Sequence, residues 1–238
     1  MLRQTATSTR RTGATRLGRA LALTAVPVLL VASCSGGSDD AKGEADKPSP
    51  SASSAPPKPA PVKFAELPDA CKALPKDTVK DVVPGVKDEK GKALRSKDTD
   101  SYTSCLWTGL DEYDYRSLTV SLRRYESDLS LGTGDERAAK YAEEQVAKAT
   151  GDKSHKSVKE AALKDVGDSA TSIGFDTEVK DSDAAGEYRN QVIVTRTANV
   201  VITVDYSGTG FEDAKTPSAD TIREGAEKAA KSAVSTVK

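Results

Sequence analysis

The sequence predicts an α+β domain, an antiparallel β-sheet with helices packed on it. Three observations predict it. Segments near residues 115–125 and 200–206 alternate apolar and polar residues with the period of two expected of half-buried strands. Segments at 135–150 and 218–236 repeat small apolar residues with the period of an amphipathic helix. The strand-like segments adjoin one another through short turns, which favours antiparallel pairing over parallel crossovers.

Taken in order, Pro68 to Val83 reads as helix in two pieces broken at Pro75, with Leu67, Cys71, Leu74, Val79, Val82 and Val83 inward and Pro84-Gly85 as the stop. Lys87 to Ser101 is a charged loop. Tyr102 to Thr108 is a strand through Cys105 and Trp107, followed by a turn at Gly109 to Asp114. Tyr115 to Tyr125 is a strand in which Leu118, Val120 and Leu122 alternate with Ser and Thr. Asp135 to Thr150 is a helix with Ala138, Tyr141, Ala142, Val146 and Ala149 on one face. A charged loop with His155 leads through Leu163 to Asp168 into a short strand, Ala170 to Phe175. Glu187 to Arg196 and Val200 to Tyr206 form a hairpin turning at Ala198-Asn199, where Asn199 is expected to take a positive φ. The last helix, Ser218 to Thr236, carries the stripe Ile222, Ala226, Ala229, Ala230, Ala233, Val234 and Val237.

The first 33 residues contain five arginines and no acid, then an uncharged run from Ala20 to Ser33. A basic start, a short apolar stretch and small residues before a cut site are the parts of a signal peptide. The run is too short to span a bilayer, which takes about 20 residues. The Arg10-Arg11 pair is followed by Thr12, Gly13 and Ala14 rather than bulky apolar residues, so the general export route is expected. Leu30-Val31-Ala32-Ser33-Cys34 resembles the bacterial lipobox. That resemblance implies cleavage before Cys34 and a diacylglycerol on its thiol, anchoring the chain on the extracytoplasmic face of the cell membrane. Residues 34–61 hold six of the eleven prolines and no aliphatic residue larger than Ala before Val62, a composition that buries too little apolar surface to order itself. A tether of this kind reaches about 80 Å when extended. Residues 62–238 form one domain.

The whole chain carries a charge of −1, and without the five leader arginines about −6. That argues against nucleic acid as a partner, since phosphate binding needs a basic surface. In an exported domain the remaining pair, Cys71 and Cys105, reads as a disulfide; free thiols for redox or metal chemistry are the alternative, with no C-x-x-C spacing and no nearby histidine to favour them.

Cys71-Lys72-Ala73-Leu74-Pro75, Cys105-Leu106-Trp107, Val166-Gly167-Asp168-Ser169-Ala170 and Val194-x-Arg196-x-x-Asn199-Val200-Val201 together resemble an actinobacterial lipoprotein family, domain of unknown function 3558, over nearly all of residues 64–238. The resemblance implies a membrane-anchored extracytoplasmic domain with one disulfide. It brings no activity and no functional residue.

The sequence offers little chemistry of its own. His155 is the single histidine and the only base for a Ser-His-Asp hydrolase, but it lies in a charged segment expected to be mobile and solvated. Leu131-Gly132-Thr133-Gly134 lacks the lysine of a phosphate loop and reads as a helix-start turn. Asp181-Ser182-Asp183-Ala184-Ala185-Gly186 begins like a calcium loop but has Ala185 and Val192 at ligand positions. Asp111-Glu112-Tyr113-Asp114 reads as a solvated hairpin tip, and Trp107 as core packed on the disulfide. No catalytic, metal-binding or cofactor-binding residues are expected. The function expected is a non-catalytic ligand-binding or interaction module of the cell envelope, the alternatives being an envelope enzyme without a recognisable motif or a lipid carrier.

Overall fold

The computed structural model describes residues 57–180 and 184–237. Their centre is one seven-stranded antiparallel sheet in the order β1-β2-β3-β7-β6-β5-β4, formed by β1 (Lys92–Ala93), β2 (Tyr102–Asp111), β3 (Asp114–Arg124), β4 (Lys156–Leu163), β5 (Ser169–Val179), β6 (Gly186–Thr197) and β7 (Val200–Gly210). With three α-helices, α1 (Lys76–Val82), α2 (Gly134–Gly151) and α3 (Ala219–Thr236), this is the expected α+β class.

The alternation in β3 sets the two faces. Leu118, Val120 and Leu122 pair in register with Tyr206, Val204 and Ile202 of β7, and all six are buried beneath α1 and α3. The alanine stripe of α3 lets that helix lie close on the sheet, and Ala226, Ala229, Ala230 and Ala233 are fully buried. Opposite, α2 lays Ala138 and Ala149 against Ile173, Phe175, Val194 and Val201. Thr133 and Glu136 start α2 with a reciprocal capping box, so Leu131 to Gly134 is the expected helix-start turn. Cys71 and Cys105 are disulfide-bonded, joining a 3-10 turn at Ala70–Lys72 to β2. Trp107 is buried beside them and donates from Nε1 to the Glu89 carbonyl at 3.1 Å. Gly91 makes room for both, since a Cβ there would lie 2.6 Å from the Trp107 ring and 2.7 Å from the Cys105 Sγ.

Four expectations need correction. Residues 156–163 are a strand, β4, and Lys92–Ala93 is another. Seven of the eight β4 residues are exposed, so an edge strand wet on both faces leaves no alternation to read. β2, β5 and β7 run on to Asp111, Val179 and Gly210, because backbone pairing continues where side chains no longer need to be apolar. The left-handed residue of the β6–β7 turn is Ala198, with φ +46, and not Asn199. Asp168 accepts the Ala198 N–H at 2.6 Å and holds it there. His155 is not a solvated residue on a mobile loop: its ring stacks on Phe175 with centroids 3.6 Å apart, and Nδ1 meets the Ala149 carbonyl at 2.7 Å at the end of α2.

Candidate functional site

The sheet is wider than the helices on either face. On the α3 side, α3 covers β6 and β7, and beyond it β5 and β4 extend as a bare shelf. The step between the start of α3 and this shelf is a groove of about 460 Å3. That is within the usual size range of small-molecule sites, roughly 300–1,000 Å3.

Three residues in register make the floor. Ser172 and Gly174 of β5 lie beside Ile193 and Gln191 of β6, on the face that α3 covers further along. Gln191 is in phase with Ile193, where an apolar residue would ordinarily point inward, and is 6% exposed. Its Nε2 donates to the Ser172 Oγ at 2.7 Å. Its Oε1 has no hydrogen-bond partner among the described residues and lies above Gly174, where a Cβ would come within 3.0 Å of it. With Nε2 on Ser172 the groove-facing end is the acceptor Oε1; the exchanged amide would present an N–H donor there instead. The groove-facing end of the amide is reached by solvent, and a ligand group there would take the place of water.

The rim is charged. Lys159 of β4 stands across from Gly174 and has no ion pair among the described residues. Its neighbour Lys156 is bound at 3.0 Å by Glu178, which raises the lysine's pKa. Arg189 is held by Asp176 at 2.9 Å, and Arg223, in the first turns of α3, by Asp220 and Glu227 at 3.1 Å each. Lys159 and the open amide thus line the same groove, together with Glu160 beside Lys159, which also has no ion pair among the described residues, while Arg189 and Arg223 are matched. Such a surface can hold a polar molecule bearing an anionic group and an N–H or O–H donor.

None of these groove residues was singled out in the sequence. Two signals were present: a glutamine in the inward phase of a strand, and an isolated glycine inside the strand at 170–175, which marks a close approach or a missing side chain. Of the residues that were singled out, Cys34 and Asp181 to Asp183 lie outside the described residues. Cys71, Cys105 and Trp107 are core. Asp111 and Asp114 close a tight turn with Glu112 at φ +53. Gly167-Asp168 and Arg196-x-x-Asn199, far apart in sequence, come together around the β6–β7 turn, where Asp168 lies 3.7 Å from Arg196. On the other sheet face Asp205 is open to water at mid-strand. Desolvation by the surrounding protein pushes its pKa up to about 6 against the opposing charge of Lys148, and its register neighbours Thr119 and Val192 carry no charge. Among the described residues no three His, Cys, Asp or Glu side chains gather as a metal site, and no helix is long and apolar enough to cross a membrane.

Fold and groove together define an α+β domain with a polar cleft at the margin of its sheet. No family model matches the chain, and no curated protein is significantly similar to it in sequence.

Proposed function

We propose that this chain is a membrane-anchored extracytoplasmic lipoprotein whose domain binds a small polar ligand in the groove beside α3. The binding half of this reading is carried by the open amide of Gln191 on the floor of a 460 Å3 groove. One end of this amide is fixed on Ser172 and the other opens on the groove, where it can hydrogen-bond a ligand in a set orientation. Lys159 supplies the complementary charge for a carboxylate or phosphate on the same ligand. The anchoring half is supported by the lipobox-like segment ending in Cys34, the proline-rich tether, and the motifs resembling the lipoprotein family.

Native mass spectrometry of the protein extracted mildly from its own membranes tests the binding half. The expected result is an adduct below about 1 kDa that dissociates on denaturation and is missing from the Gly174→Leu variant, whose side chain fills the floor. A bare mass, together with no thermal shift of either protein across a panel of amino acids, sugar acids and phosphorylated sugars, counts against it. Recovery of the protein in the aqueous phase after detergent partition, in wild type and Cys34→Ala alike, counts against the anchor.

A further inference from the structure

Leu129 and Leu131, at 62% and 64% exposure, are the most exposed large apolar residues among those described, and they flank Ser130 at the tip of one short loop. The loop is a fixed object. One Asp128 oxygen accepts from the N–H groups of Ser130 and Leu131 at 2.7 and 2.9 Å and from the Ser130 hydroxyl at 2.6 Å. Asp128 and Gly132 close its base with two backbone hydrogen bonds, and the capping box follows immediately. The Ser130 and Leu131 donors at the tip are thus satisfied from within, which lowers the cost of taking this part of the loop into the interfacial region.

The position of the loop identifies what it meets. Residues 34–56 precede the described chain, and Pro57 to Phe64 join the domain at this end. Val62 packs against the first residue of α2, where a Cβ on Gly134 would lie 2.8 Å from its Cγ1. Phe64 is hydrogen-bonded to Asn199 at 3.0 Å, at the same end of the sheet. Around the loop stand Lys63 over the Phe64 ring and Arg137 over the Tyr125 ring, cations on aromatic faces of the kind that sit at headgroup level.

We infer that the Leu129–Leu131 loop inserts into the surface of the bilayer that carries the anchor, seating the domain with this end down and leaving the groove, at the far half of the sheet, directed away from the lipid. The inference rests on the anchoring reading, and its test supplies the anchor chemically. With Cys71 and Cys105 bonded to each other, Cys34 is the one remaining thiol of residues 34–238. That chain is coupled through Cys34 to a maleimide phospholipid in vesicles of phosphatidylcholine and phosphatidylglycerol, with Leu131→Trp as reporter. Trp107, 1% exposed, is the buried internal control. The expected result is a blue-shifted reporter quenched about twofold by lipids brominated near the headgroup, an effect lost when Leu129→Asp is added. An unchanged reporter on coupled vesicles overturns the inference. So does concentration-dependent self-association that Leu129→Asp abolishes without any lipid quenching, which makes the loop a contact between copies. The anchoring reading fails separately, if the Cys34 peptide isolated from cells carries no diacylglycerol.

Discussion

The side-chain amide of Asn199 exchanges two hydrogen bonds with the backbone of Phe64, 135 residues away: the Phe64 N–H donates to Oδ1 at 3.0 Å, and Nδ2 donates to the Phe64 carbonyl at 2.9 Å. Nδ2 donates also to the Tyr125 carbonyl at 2.9 Å. One fully buried amide thus clasps the start of the domain, the end of β3 and the start of β7.

Asn199→Ala strands the Phe64 N–H and removes a donor from two carbonyls, and is expected to cost about 2–4 kcal/mol. Urea denaturation gives the size of the effect. Hydrogen exchange gives its place, with Phe64 losing protection well before the β3–β7 ladder.

The disulfide links residues 34 apart. Replacing both cysteines by serine is expected to lower stability by about 4 kcal/mol through the entropy of the unfolded chain. Denaturation followed by Trp107 fluorescence measures this, and a loss below about 1 kcal/mol contradicts the estimate.

His155→Ala removes the stack on Phe175 and the bond to the Ala149 carbonyl. The expected cost is about 1–2 kcal/mol. His155→Phe keeps the stack and recovers part of the loss, as thermal unfolding of the two variants side by side will show.

Tyr206 is buried and donates to the Val82 carbonyl, and burial pushes its pKa up to about 12. The unfolded chain ionises this residue near pH 10. Folding therefore favours the protonated form. Its contribution is complete below about pH 10 and is lost as the pH rises toward 12. Stability measured from pH 8 to 12 should fall in that window, and the fall should be shallower in Tyr206→Phe, with burial of Tyr125 accounting for part of the remainder.

What the sequence made legible follows from how each element is buried. β3 and α2 were legible because each is dry on one side and wet on the other, so that Leu118, Val120 and Leu122, or Ala138 and Ala149, fall in phase. β4 was silent because water reaches both of its faces. Asn199 was noticed for the wrong property: its turn needed a left-handed residue, which Ala198 became, while the amide was needed for a clasp between segments far apart in sequence. The groove was out of reach for a related reason. Gly174, Gln191 and Lys159 are ordinary residues singly, and they acquire meaning when three strands pair in register and α3 stops short of the shelf.

The disulfide has a mechanical side. A force applied to the chain ahead of Pro57 loads the Asn199 clasp first, and once that yields the segment peels from the domain residue by residue. Peeling ends at Cys71, which is covalently fastened to a strand inside the sheet. The slack released is 14 residues, roughly 50 Å when drawn straight, and the fold behind it keeps its shape under the pull.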